Sequence, residues 1–323
     1  MARPVVWCLS DGKPGHENQS RGLIRALGRL TALECHELNG RGAGRPALWP
    51  TIAAWFRPGQ GLPDPALLIG AGHATHLPML AARMARGGRA VVLMKPSLPL
   101  CWFDLCLIPE HDRPPLRDNV LVTQGVLNTV RASDGVRPGI GLILVGGPSS
   151  HHRWDGPALV RMVRTILDAH PMVAWRIADS RRTPACTRHL LRASLSTGAS
   201  PSTGASPSTG AVPNCAFVPH EETGPEWLST ALAEAGTVWV TEDSVSMLYE
   251  ALSVGAATGL LPVPRRRSSR PSRGVDALLA SGQVTAFERW AEGVALPRSA
   301  VLLNEAERCA RALLARWPEI DGR

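Results

Sequence analysis

Near its amino end the chain reads SDGKPGHENQ, from Ser10 to Gln19. An apolar run, Pro4 to Ser10, precedes it, and Leu23, Ile24, Leu27 and Leu30 follow at helical spacing. That order predicts a buried strand, a turn through Gly12 and Gly15, and a helix entered near His16 or Asn18. Glycines let backbone approach a ligand closely. A helix N-terminus adds free N–H groups and partial positive charge, which suit an anion or a developing charge. The spacing matches neither the dinucleotide fingerprint nor the Walker A loop. Histidine as a residue type titrates near neutrality, so His16 is a candidate for proton transfer; a plain helix cap is the alternative.

Two further stretches share this grammar. LVGGPSSHHRW, Leu144 to Trp154, runs from a strand through Gly146 and Gly147 towards a helix. Ser149 and Ser150 can donate to phosphate oxygens there, or serve as ordinary N-caps. VTEDSVSMLYEAL, Val240 to Leu252, ends a strand at Glu242 and Asp243 and starts a helix at Ser244. On that helix Val245, Leu248 and Leu252 form an apolar stripe, with Asp243, Ser246 and Glu250 on the polar side. Glu250 could accept from vicinal ribose hydroxyls, or be a solvated surface carboxylate. In DSRRTP, Asp179 to Pro184, Arg181 and Arg182 follow a strand end and could neutralise phosphate. Arg265 to Arg273 places five arginines in nine residues, a solvated loop or a contact for an anionic acceptor or lipid headgroups. His73 and His76 stand at another strand end. No third ligand accompanies them, so no zinc site is expected.

The remainder must position these groups. Buried strands are predicted at Pro65 to Gly72, Arg89 to Ser97, Phe103 to Asp112 and Asn119 to Gly125, with a helix over Leu77 to Arg86. A polar stretch, Arg131 to Gly139, interrupts the alternation, which then restarts. This predicts an α/β chain of two Rossmann-like domains, 1–134 and 135–300, with 301–323 as a helix packing back on the first. A tandem repeat of STGASP over Ser196 to Ala211 cannot build a core and is expected as a flexible surface insert.

Composition narrows the partners. The chain has 323 residues, 44 % of them hydrophobic, and a net charge of +8, which favours an anionic partner. With four Phe and one Tyr there is no basic–aromatic interleaving for nucleic acid. The apolar runs are too short for a membrane span or a secretory leader, so a cytoplasmic protein is expected. Seven scattered cysteines, without CxxC spacing, read as reduced thiols.

SDGKPGHENQSRGL, GGPSSHHRW, DSRRTP and TEDSVSMLYEAL, in this order, resemble the mitochondrial-fission (elongated-mitochondria) proteins of bacteria and plants, over nearly the whole chain. That family in turn resembles glycosyltransferases of the GT-B fold, two Rossmann-like domains facing a central cleft. The nearest mechanistic likeness is to the peptidoglycan N-acetylglucosaminyltransferase. The resemblance implies a nucleotide-diphosphate sugar as donor, with Gly146, Gly147, Ser149, Ser150, Arg181, Arg182, Ser244, Val245, Ser246 and Glu250 binding it. It implies His16 as the base and Gly12, Lys13, Gly15, Asn18 and His73 on the acceptor or phosphate side. It implies no cofactor and no metal, an acceptor that is lipid-linked or a glycan, and a place at the cytoplasmic face of an anionic membrane. A nucleotide-sugar epimerase, using Asp11, Glu17 or Asp243, and a non-catalytic membrane scaffold are the competing readings.

Overall fold

The apolar runs become strands because each is buried on both faces of a parallel sheet, where continuous Val, Leu and Ile suit the pleat. The computed structural model describes residues 3–39, 59–131, 135–196, 214–224, 226–298 and 303–321. The tandem repeat beyond Ser196 lies outside them. The described residues form two units, 1–129 with 304–323, and 130–303. The crossover at Thr129 and Val130 lies just ahead of the polar stretch.

Unit 1 holds β1 (Val5–Ser10), α1 (Pro14–Leu30), β2 (Glu34–Asn39), β3 (Leu67–Ala71), α2 (His76–Arg86), β4 (Arg89–Leu93), β5 (Leu105–Pro109) and β6 (Val120–Thr123). The sheet order is β2-β1-β3-β4-β5-β6, all parallel. The chain leaves β1 in opposite directions to β2 and β3, so the switch point of this sheet lies at the carboxyl end of β1. One face is covered by α1, through Leu23, Ala26 and Leu27, and the other by α2, through Met79 and Ala82. The helix Glu305–Arg316, α9 in chain order, packs on α1 and adds Cys309, Ala310 and Leu313 to the same core.

Unit 2 holds β7 (Arg137–Leu144), α3 (Gly156–Ala169), β8 (Ala174–Ala178), α4 (Ala185–Ser196), β9 (Cys215–Val218), α5 (Trp227–Glu234), β10 (Ala235–Thr241), α6 (Val245–Val254), β11 (Ala257–Leu261), α7 (Arg270–Ala280), β12 (Thr285–Ala286) and α8 (Phe287–Ala291). Its parallel sheet runs β12-β11-β10-β7-β8-β9, with the switch point between β7 and β10. Two tryptophans dominate the core: Trp175 lies over Gly141 and Trp239 over Gly259. Both units are therefore doubly wound, and the fold is of the GT-B type.

Two expectations need correction. No helix opens at Ser149 or Ser150; α3 starts at Gly156, where Asp155 accepts the Ala158 amide at 2.9 Å. The polar face expected for α6 is also not an exposed one. Residues Leu248 to Val254 are all buried, Glu250 among them, because α6 packs against α5, α7, β10 and β11. Among the described residues no helix is long and apolar enough to cross a membrane.

Candidate functional site

In unit 1 the chain leaves β1 and turns at Gly12, where φ is +74°. Pro14 then starts α1 with its fixed φ. This brings His16, on the first turn of the helix, back over the strand end. Asp11, whose side chain is 1 % exposed, accepts from His16 Nδ1 at 2.9 Å and from the Lys13 amide at 3.1 Å. Burial alone would raise the Asp11 carboxyl, but the donors His16 and Lys13 N–H hold it below the ordinary carboxylate range. With Nδ1–H spent on Asp11, the free lone pair of the neutral ring sits on Nε2, the arrangement a general base needs. Ser10 and Glu17 add a second link: Ser10 Oγ donates to Glu17 at 2.7 Å and accepts the Gly12 amide at 3.0 Å.

Gly72, at the end of β3, completes the nest. Its φ is +88°, and a Cβ there would overlap His16 Nδ1 and stand 3.0 Å from Asp11 Oδ2. Sequence reading missed Gly72; its position directly after an apolar strand was the available signal. Leu9, Ser10, His16, Glu17, Arg21 and Glu37 line a small open hollow beside it. Lys13 and Gly15 are exposed at this mouth, and Lys13 Nζ lies 3.7 Å from Asp11. His73 is exposed on the turn after Gly72. Asn18 points elsewhere: its Oδ1 accepts from Thr129 Oγ1 at 3.0 Å, tying α1 to the end of the unit.

In unit 2 four loops meet at the carboxyl end of the sheet, after β7, β8, β10 and β11. Arg182 stitches three of them together. It donates to Gly147 O at 3.0 Å, to Asp243 Oδ2 at 2.7 Å and to Ser244 Oγ at 3.1 Å. The Asp243 side chain is fully buried and also accepts the Gly147 amide at 3.0 Å. The glycine pair is explained by this packing. A methyl on Gly146 would overlap Asp243, and one on Gly147 would overlap the Arg182 carbonyl. Thr183, missed from the sequence, fastens the β8 loop to the carbonyls of Val145 and Gly146.

The remaining residues divide plainly. Ser149 turns inward, accepting the amides of His151 and His152 at 3.2 and 3.1 Å. Ser150, Arg181 and Ser246 are exposed, and Val245 is half-buried. Ser244 begins α6 without capping it through its own side chain, so the first-turn amides lie beside Arg182 and the glycine loop. Arg265 pairs with Glu242 and, at 2.7 Å, with Asp276. The arginine run thus opens as part of this mouth and continues as α7, capped by Ser269 and Ser272, with Arg265 to Ser268 and Arg270 exposed. Further along, Asp179, His220 and Glu221 bring possible metal-ligand atoms within 4.8 Å of one another. Arg188 stands among them, 2.5 Å from Asp179, 2.8 Å from Glu221 and 2.9 Å from His220 Nδ1, and already supplies the charge a cation would bring.

Two doubly wound units, each with polar groups converging on the carboxyl end of its sheet, define the GT-B architecture. The profile of the family described as mitochondrial fission ELM1 matches residues 14–317, and the chain belongs to that family. No curated protein matches it by sequence. Among solved structures it is similar to S. aureus MnaA in complex with UDP, at 12 % identity and TM-score 0.51, covering 98 % of this chain and 89 % of that one. The UDP-GlcNAc 2-epimerase from Neisseria meningitidis bound to UDP-GlcNAc gives 11 %, 0.50, 98 % and 92 %. The glycosyltransferase SnogD from Streptomyces nogalater gives 13 %, 0.50, 99 % and 98 %.

Proposed function

We propose that this chain is a glycosyltransferase that moves a sugar from a nucleoside-diphosphate donor to an acceptor hydroxyl. Unit 2 holds the donor and unit 1 supplies the base. The observation that carries the reading is the His16–Asp11 pair, an imidazole 23 % exposed and fixed at 2.9 Å by a buried carboxylate at the switch point of unit 1. A protein that only bound nucleotide would have no use for a histidine oriented in this way. His16 Nε2 takes the hydroxyl proton as the acceptor oxygen bonds to the anomeric carbon, and the bond from that carbon to the diphosphate oxygen breaks. The leaving diphosphate gains charge, which the α6 N-terminus and neighbouring arginines stabilise without requiring a metal.

The same pairings weigh against the epimerase reading. Asp11 is engaged by His16, Glu17 by Ser10 and Arg21, and Asp243 by Arg182 through Oδ2 with Oδ1 buried, so the epimerase needs one of these pairs to open before a carboxylate meets a sugar C–H. We place the acceptor among lipid-linked or glycan hydroxyls of the cell surface, reached from the cytoplasmic side, on the resemblance to the peptidoglycan enzyme and the net charge of +8. The deciding experiment is a thermal-shift screen of the purified chain against UDP-, GDP- and dTDP-sugars, followed by release of nucleoside diphosphate with the binding donor. Binding followed by release that disappears in His16→Ala supports the transferase. Binding with no release for any acceptor class supports the scaffold, and isomerised donor without acceptor supports the epimerase.

A further inference from the structure

The loop that carries the arginine run is built into the unit 2 mouth by its backbone. The Arg153 amide donates to Pro264 O at 2.8 Å, and the Arg266 amide to His151 O at 2.8 Å. His152 and Arg265 form an antiparallel bridge, and Arg266 Nε reaches His152 O at 3.4 Å. Beneath, Glu242 holds Arg265 and accepts the Val263 amide at 3.4 Å. The segment Pro264 to Arg266 therefore runs alongside the glycine loop, and the exposed Arg267 follows it directly.

At this mouth the carboxylates are already engaged. Asp243 holds Arg182, Glu242 holds Arg265, Asp179 holds Arg188, and Asp155 caps α3. What is left over is cationic. Arg181, Arg266 and Arg267 are exposed and have no carboxylate partner among the described residues. A nucleoside diphosphate on a neutral sugar brings roughly two negative charges. Against it stand these guanidiniums and about half a positive charge at the α6 N-terminus. Among the buried polar atoms without a hydrogen-bond partner here are Asp243 Oδ1 and His152 Nε2, the latter 3.9 Å from Glu242. The ligand that balances the mouth carries more negative charge than a diphosphate alone.

We propose that the loop between β11 and α7 reads a third anionic group on the nucleotide, with Arg267 as the selecting residue. A sugar carboxylate or a further phosphate would both supply it. The inference rests on the unit 2 mouth being the nucleotide-sugar site. The test is calorimetric titration of the intact chain with UDP-glucose, UDP-glucuronate and UTP, and with GDP-mannose and GDP-mannuronate, at one ionic strength. The expected result is that one base series binds and its acidic sugar binds about tenfold tighter than the neutral one. Arg267→Ala and Arg267→Gln should remove that preference and shift the neutral ligand less than about threefold. A gain for UTP alone, lost in the same variants, assigns the group to phosphate. Equal affinities within the binding series, or a preference that survives in both variants, overturn the inference and leave the nucleotide reading standing. No binding by any nucleotide overturns both.

Discussion

The two units use one supersecondary device for opposite ends. Each runs a buried strand into glycines beside a helix N-terminus at a switch point, α1 following directly in unit 1 and α6 coming from β10 in unit 2. In unit 1 the turn is open: nothing stands within 4 Å of a Cβ at Gly12 or Gly15, and the polar work is concentrated in one carboxylate holding one imidazole. In unit 2 the space over Gly146 and Gly147 is filled by Asp243 and Arg182, and cross-links join three loops. A strand–glycine signature thus reports where polar groups gather at the sheet end, while the residues that fill or vacate the glycine space decide whether one group is positioned or several loops are cross-linked.

The largest expected effect tests the unit 1 side. His16→Ala should lower turnover by about 10²–10⁴, with donor affinity changed less than about threefold by calorimetry. Asp11→Asn should lose about 10²-fold and alter the pH profile of turnover, because the amide can no longer enforce the Nδ1–H tautomer. Equal losses of donor affinity in these variants would erase the division between units. Next come the glycines. Gly147→Ala should destabilise unit 2 by about 1–3 kcal/mol, since backbone atoms of Arg182 must give way. Gly15→Ala, in open space on α1, should change stability by less than about 1 kcal/mol. Melting curves of the two variants side by side measure this contrast directly.

A smaller effect separates charge from geometry in the cradle. Arg182→Lys keeps the charge but loses the fork between Asp243, Ser244 and Gly147. Donor affinity should fall about tenfold, with kcat at saturating donor changed less than about threefold. The smallest effect is acid sensitivity. Burial pushes the His152 imidazole below its ordinary range, against Glu242 and Asp243, and burial does the same to His76 in unit 1. The unfolded chain binds those protons more readily, so stability is level above about pH 6.5 and declines as pH falls below it, by at most about 1.4 kcal/mol per pH unit for each group. Asp11 acts in the same direction at lower pH: its depressed carboxyl adds stability above about pH 4 that is lost as pH falls below it. Urea titrations between pH 7 and 5 should show a shallower slope in His152→Gln.

Much of this was legible in the amino-acid order because buried parallel strands announce themselves. Val5 to Ser10 and Leu67 to Ala71 are apolar throughout, and each ends at the glycine or carboxylate that makes the site. The edge strand Glu34–Asn39 was missed, since only Cys35 and Leu38 of its residues are apolar, without the strict alternation of a half-buried strand. Helix α7 was hidden beneath the arginine run, although Ser269 followed by Arg270 and Pro271 is a cap-and-proline start. Glu250 misled because periodicity shows which residues share a helix face and says nothing of whether that face meets water. Ser149 and Asn18 each accept local hydrogen bonds that the amino-acid order does not announce, from the His152 amide and from Thr129 Oγ1.

Helix α9 has a consequence for how the protein is made. It completes the hydrophobic bed of α1, the helix that carries His16, with Cys309, Ala310, Leu313, Trp317 and Ile320. Glu305 and Arg308 fasten it to the β6 segment through the Gln124 amide and the Val122 carbonyl. Residues 130–303 are contiguous and can fold as they emerge from the ribosome. Unit 1, synthesised first, closes its core only after residue 320 has emerged. The helix that carries His16 thus gains its full packing only after translation has passed the entire second unit.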